Sequence, residues 1–169
     1  MKKLLLIIIL FTAFKTYAQD LPHHTTAFSA GAELGIPSRS LYNIGVGASV
    51  KLEQPIINPV SLTLTAGFSS FFRKNTPFNN GNSGGNLFVP LKGGVRYNVG
   101  SGVFLEAEAG SAIELNYDKR RLFAFSVGPA IMIPSGTDNR SFELGLRYES
   151  WSTHTLQQTA IRFAYRFGR

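Results

Sequence analysis

The chain contains no cysteine among its 169 residues. Disulfide frameworks and thiolate metal sites are therefore excluded, and so is a lipoprotein anchor, which is attached to an N-terminal cysteine. Charged residues are also few, at 16%, although the mean hydropathy is only +0.03. Together with 17 glycines and 12% aromatic residues, this composition fits many short strands better than a helical bundle.

A long hydrophobic run is missing too, except at the N-terminus. Two lysines precede an apolar segment of eleven residues, Leu4–Phe14, and Ala18 is a small residue suited to signal cleavage. Eleven residues are too few for a membrane-spanning helix, which needs about 20. We therefore expect residues 1–18 to be a cleaved secretory signal peptide and residues 19–169 to form a single mature domain.

The excess of positive charge is modest once the leader is removed. The whole chain carries +7 at pH 7, but Lys2, Lys3 and Lys15 leave with the leader. The mature chain then has 14 Lys and Arg against 10 Asp and Glu, a net charge of +4. The basic pI is partly a property of the leader, so nucleic acid is not expected as a partner.

Helical periodicity is absent from the mature chain, whereas eight segments alternate apolar and polar residues with period 2. They are Thr26–Ile36, Tyr42–Leu52, Val60–Phe72, Leu87–Val99, Phe104–Leu115, Leu122–Ile133, Ser141–Ser150 and Thr159–Phe167. Short connections rich in turn residues alternate with longer ones, of which "RKNTPFNNGNSGGN" is the longest. The pattern predicts an eight-stranded antiparallel up-and-down meander.

The charges of these segments fall on one phase of the alternation. All seven glutamates lie opposite the apolar residues, and no charged residue falls on the apolar phase of any segment. A soluble sandwich or lipocalin-type barrel would bury the apolar phase, whereas a transmembrane barrel turns it to lipid. Charges of both signs, interspersed with glycines, suit the crowded interior of a small closed barrel. We therefore predict an all-β fold, an eight-stranded antiparallel up-and-down transmembrane β-barrel preceded by a signal peptide, with both termini periplasmic.

The charged phase predicts the contents of the lumen. We expect a charge network formed by Glu33, Lys51, Glu53, Lys92, Arg96, Glu106, Glu108, Glu114, Glu143, Arg147, Glu149, Arg162 and Arg166. An eight-stranded barrel is only wide enough for side chains to fill, so a salt-bridged interior without a wide pore is predicted. A narrow path for protons, small ions or solutes is the alternative.

Two further features concern the strands themselves. Aromatic residues near the strand ends on the apolar phase predict interfacial girdles: Tyr42, Phe72, Tyr97, Tyr148, Tyr165 and Phe167. Pro90 and Pro129 fall inside predicted strands. Because proline cannot donate to a ladder, we expect a bulge or another irregularity near both.

Several stretches resemble the small outer-membrane β-barrel proteins of Gram-negative bacteria, and most of all the outer membrane protein β-barrel domain family. They are "YNIGVGASVKLEQP", "NLFVPLKGGVRYNVGSGVFLEAEAGSA", "AFSVGPAIM", "FELGLRYESWS" and "IRFAYRF". The resemblance implies an outer-membrane location, assembly by the barrel-insertion machinery and no catalytic residues. We expect a monomer with a structural or interaction role.

An enzyme is the second alternative, because small barrels of this size include outer-membrane lipid-modifying enzymes. Glu149, Ser152 and His154 lie together around "ESWSTH", and such groups can form a nucleophile, a base and an orienting group. The order of Ser and His differs from that of the deacylases, so catalysis is not expected. His23 and His24 lack a third ligand at a useful spacing, so neither a metal nor a cofactor is expected.

The predicted outward connections are basic. With periplasmic termini, they and their strand ends hold a cationic rim set against Asp118, made of Arg39, Arg73, Lys74, Lys119, Arg120 and Arg121. Cations near lipid phosphates form charge-assisted hydrogen bonds, so this rim predicts contact with outer-membrane lipid and lipopolysaccharide. Solvated loop charges without a fixed partner are the alternative.

Overall fold

The computed structural model describes residues 26–38, 42–73, 86–115, 121–136, 140–152 and 156–167. These residues form strands joined by turns: β1 (Ala27–Pro37), β2 (Tyr42–Ile57), β3 (Val60–Arg73), β4 (Asn86–Gly100), β5 (Val103–Glu114), β6 (Arg121–Pro134), β7 (Arg140–Trp151) and β8 (Leu156–Phe167). Each of the eight predicted strands is present, and β2 runs five residues past its predicted end at Leu52. No helix among the described residues is long and apolar enough to cross a membrane.

Each strand pairs antiparallel with its neighbours in sequence, and β8 pairs with β1 to close the barrel. Glu33 on β1, for example, lies opposite Gly47 on one side and Arg162 on the other. The predicted eight-stranded up-and-down barrel is therefore confirmed. We call the end that holds the start of β1 and the end of β8 the turn end, and the opposite end the loop end.

The barrel is apolar outside and polar inside. Phe28 and Phe123 on the apolar phase are 58% and 62% exposed, whereas Lys92 and Glu108 on the charged phase are 1% and 2% exposed. A soluble barrel has the reverse arrangement, because burial of apolar surface is what stabilises it in water. This distribution follows directly from the two-residue period of a strand, which sends alternate side chains to opposite faces.

Neither internal proline shifts the register. Pro90 lies opposite Ala112 and Pro129 lies opposite Leu105, each within an unbroken series of pairs with β5. On the other side the ladder is interrupted beside each proline, between β4 and β3 and between β6 and β7, and resumes in the same register. The predicted irregularity is thus a gap in the ladder, without the bulge, because proline lacks only the N–H that one neighbour needs.

The girdle prediction was wrong for Tyr42. A register shift between Tyr42 and Ile44 turns the tyrosine toward the interior, where its ring centroid lies 5.5 Å from that of Phe71. Four other predicted girdle residues are exposed on the outer surface: Phe72, Tyr97, Tyr148 and Phe167.

Candidate functional site: the barrel interior

Glycines opposite glutamates make room for the interior side chains. Glu108 lies opposite Gly94 on β4, and Glu106 lies opposite Gly128 on β6. A Cβ added at Gly94 would lie 2.2 Å from the Ala107 carbonyl oxygen and 2.8 Å from Glu108 Cγ. A larger residue at Gly94 would occupy the space that Glu108 needs as it crosses the narrow lumen, whereas a Cβ at Gly128 would meet the backbone of Leu146 and Arg147 on β7.

Ten of the thirteen residues predicted for the lumen form one closed circuit, the ion-pair ring. In it, five cations alternate with five glutamates, in the order Arg96, Glu106, Lys51, Glu108, Lys92, Glu149, Arg147, Glu33, Arg162, Glu143 and back to Arg96. Every member therefore faces two residues of opposite charge. Such double pairing is what a buried charge requires, since its loss of hydration is large.

The contacts of the ring join strands across the lumen. Lys92 Nζ lies 2.6 Å from Glu149 and 3.5 Å from Glu108. Lys51 contacts Glu106 and lies 3.3 Å from Glu108. Because Lys51 is on β2 and both of its partners are on β5, this cross-link spans the barrel.

Arg162 and Arg96 complete the ring beside Glu143. The Arg162 guanidinium lies 2.8 Å from Glu143 and 3.7 Å from Glu33. Arg96 lies 3.1 Å from Glu143 and 2.7 Å from Glu106. Arg147 contacts Glu33 as well, so β1, β4, β7 and β8 are tied together.

Neutral side chains connect β3 and β6, the two strands without a ring member, to the ion-pair ring. Thr65 on β3 donates a hydrogen bond of 2.5 Å to Glu108, and Ser126 on β6 donates one of 3.4 Å to the same carboxylate. Gln158 donates a 2.6 Å bond to Glu149. All eight strands thus contribute to a single polar network, in which hydroxyl and amide donors add hydrogen bonds to carboxylates of the ring.

Three predicted lumen residues lie outside the ring. Glu53 accepts contacts of 2.7 Å from both Arg96 and Arg166, which extends the network to the turn end. Glu114 lies inside the barrel at the loop end but is separate from the network. Its partner among the described residues is Asn86, whose Nδ2 donates a 3.0 Å hydrogen bond.

An aromatic cluster fills the interior at the loop end, and the sequence prediction missed it. Phe71, Phe88 and Trp151 contact one another at ring centroid distances of 5.1 to 5.7 Å, mostly edge to face. Leu156 and the small side chains of Ala112 and Ala124 complete the buried cluster. These residues fall on the charged phase of their strands near the loop end, which is the signal that could have revealed them.

The turn end is open by comparison. A cavity of about 210 Å³ lies there, lined by Glu53, Arg96 and Arg166 together with neutral polar and apolar residues. The Arg96 guanidinium stacks over the Phe104 ring at 3.9 Å, a cation–π contact that holds it at the floor of the cavity. The two ends of the interior therefore differ in chemistry.

The predicted rim falls mostly outside the described residues, as Arg39, Lys74, Lys119 and Arg120 do. Arg73 is the last residue of β3. Arg121 is the first residue of β6 and is exposed at the loop end.

Two of the three residues of the catalytic alternative, Glu149 and Ser152, are among the described residues. Glu149 belongs to the ion-pair ring and accepts bonds from Lys92 and Gln158. Ser152 instead accepts a 2.9 Å hydrogen bond from the backbone N–H of Phe123. His154 lies outside the described residues, as do His23, His24 and the proposed signal peptide.

Known structures share this architecture, although the sequence matches no protein-family model and no curated protein. The attachment invasion locus protein Ail of Yersinia pestis aligns with a TM-score of 0.58 and 13% identity, covering 86% of this chain and 100% of Ail. Neisserial surface protein A aligns with a TM-score of 0.55 and 14% identity, covering 85% of this chain and 97% of that protein. A de novo designed transmembrane β-barrel aligns with a TM-score of 0.52 and 18% identity, covering 86% of this chain and 98% of the designed protein. The predicted resemblance to small outer-membrane barrels is confirmed at the level of the fold.

Proposed function

We propose that this protein is an outer-membrane β-barrel with a structural or interaction role, whose filled interior forms no wide pore and carries no enzymatic activity. The observation that carries the proposal is the ion-pair ring inside a barrel with an apolar exterior. Such an exterior is stable in a lipid bilayer and would promote aggregation in water. The shared fold with Ail and Neisserial surface protein A supports the same location.

The proposed absence of a wide pore rests on two layers of side chains. The ion-pair ring crosses the lumen between β2 and β5, and the aromatic cluster occupies the loop end. An ion passing through would have to displace paired charges and then cross the aromatic layer. Either step is unfavourable enough to prevent large, steady currents.

The location is tested by cell fractionation and by gel migration before and after heating. We expect the protein in the outer-membrane fraction, with a folded form that migrates differently from the heated form. A protein recovered in the soluble periplasmic fraction would contradict the proposed location.

The closed interior is tested by planar-bilayer recording with purified protein, where we expect no large stable conductance. Wide, steady channels would refute the proposal and favour the narrow-channel alternative. In that event Glu106→Gln and Arg147→Gln should change ion selectivity, because both side chains face the lumen.

The interaction role that we propose is binding of lipopolysaccharide at the loop end. Exposed Arg121 stands next to Lys119 and Arg120 in the sequence, and each cation near an anionic lipid surface contributes about 1 kcal/mol. Replacing these three residues together with Gln should lower the amount of co-purified lipopolysaccharide and its thermal stabilisation of the barrel. Unchanged binding by a folded triple variant would contradict the rim proposal.

A further inference from the structure

The cavity at the turn end combines donors with an apolar wall. Its lining includes Arg166, Ser61 and Asn98 beside Phe104 and Met132. A water molecule occupies about 30 Å³ of liquid, so a cavity of about 210 Å³ has room for a solute of several heavy atoms. Small-molecule sites are built in this way, with a few placed polar groups on a largely apolar surface.

The two arginines of the lining differ in how many of their N–H groups are used. Two guanidinium groups, Arg96 and Arg166, share a single carboxylate, Glu53, and both contact its Oε2 at 2.7 Å. Arg96 is fully engaged, since it also donates to Glu106 from Nε and Nη2 and to Glu143 from Nη2. The ring carboxylates thus neutralise Arg96, and Glu53 is the carboxylate that pairs with Arg166.

Arg166 keeps donors that face the cavity. Among the described residues its guanidinium contacts only Glu53, through Nη1, and its side chain is only 12% exposed at the cavity. Its other N–H groups form the planar fork that binds carboxylates in a bidentate manner. Asn98 adds a side-chain amide: its Oδ1 accepts a hydrogen bond from the Gly100 backbone N–H, while its Nδ2 donates to no acceptor among the described residues.

We propose that this cavity binds a small organic carboxylate, which enters from the turn end. Arg166 receives the carboxylate group, Asn98 and Ser61 donate neutral hydrogen bonds, and Phe104 and Met132 contact a short apolar chain. The aromatic cluster at the loop end makes the cavity a binding site with one entrance and not a passage. The inference goes beyond the proposed structural role and does not depend on which membrane holds the barrel.

The test is an NMR titration of the folded barrel in detergent micelles with sodium butyrate, with sodium chloride as the ionic-strength control. We expect saturable shifts of the Ser61, Asn98 and Phe104 amides and no shifts of the Phe88 and Trp151 amides at the loop end. Arg166→Gln should weaken butyrate binding at least tenfold. The matched control is Arg140→Gln, which removes an exposed cation at the same end, opposite Phe167, and should leave binding within twofold of the wild type.

Several results would overturn the inference. They are the absence of saturable shifts in the wild-type protein, an equal loss of binding in Arg140→Gln, or a response to chloride that matches the response to butyrate. Tighter binding of inorganic phosphate than of butyrate would contradict the role of the apolar wall. The wild-type shift map decides the question even if Arg166→Gln does not fold, and none of these outcomes bears on the conductance or the location of the barrel.

Discussion

Gly93 and Gly94 are neighbours on β4, yet they have opposite surroundings. A Cβ at Gly94 would meet the Ala107 carbonyl oxygen at 2.2 Å inside the barrel, whereas a Cβ at Gly93 would find only the Thr63 carbonyl oxygen at 3.9 Å. The requirement at Gly94 comes from close approach of the backbone and of Glu108. At the residue scale, the packing of the charged interior thus depends on which positions carry glycine.

Gly94→Ala should therefore destabilise the barrel, and Gly93→Ala should not. Overpacking of a filled interior costs about 1–3 kcal/mol. At an unstrained open position, the same substitution stabilises a protein by about 0.4–1 kcal/mol through the unfolded chain. Urea unfolding of both variants in lipid vesicles measures the difference. Equal free energies of unfolding for the two variants would contradict the tight fit at Gly94.

At the scale of the elements, each end of the strands carries its own chemistry. The strand segments toward the turn end send Arg96, Glu53 and Arg166 inward, whereas the loop-end segments of β3, β4 and β7 send Phe71, Phe88 and Trp151 inward. Glu114 lies near this apolar end with an amide partner in place of a cation. The interior is therefore an ionic core with an aromatic layer at one end.

Trp151 is the only tryptophan of the chain, so its fluorescence reports on the aromatic layer. Because Trp151 is buried among Phe71 and Phe88, we expect blue-shifted emission with weak quenching by acrylamide and by brominated lipids. Phe71→Ala should increase quenching by acrylamide, since it opens the layer to water.

The control for this measurement places a tryptophan on the outer surface. In the double variant Phe123→Trp, Trp151→Phe, the new indole takes the position of an exposed residue of the apolar face, and brominated lipids should quench it strongly. Strong quenching of native Trp151 by brominated lipid would mean that it faces the bilayer, contrary to the structure.

At the scale of the whole molecule, the outer surface separates a membrane barrel from a soluble one. Leu64 is exposed near the middle of β3 and Val99 is exposed at the turn end of β4. On a lipid-facing surface, Leu64→Arg should cost about 2–4 kcal/mol and Val99→Arg about 0–1 kcal/mol, because the cost of a charge falls toward the interface. Unfolding of both variants in lipid vesicles tests this gradient. Small and equal effects at the two depths would indicate a water-exposed surface.

Much of this architecture could be predicted from the sequence alone. The two-residue period sets which side chains share a face, so eight alternating segments and their connections were enough to predict eight antiparallel strands. The phase shared by Glu106, Glu108 and the other glutamates predicted a polar interior. The pairing of consecutive strands needs only short connections. The thirteen charged residues predicted to project inward were chosen in the same way, from phase alone.

The tertiary structure decided which charges meet and how the two ends differ. Closing a barrel staggers its strands, so Lys51 on β2 meets Glu106 and Glu108 on β5, residues that no local spacing connects. The aromatic cluster depends on where strands end and on the register shift that turns Tyr42 inward. Periodicity can place these side chains inside the barrel, but it cannot say which of them meet, because those contacts cross the lumen and exist only once the barrel is closed.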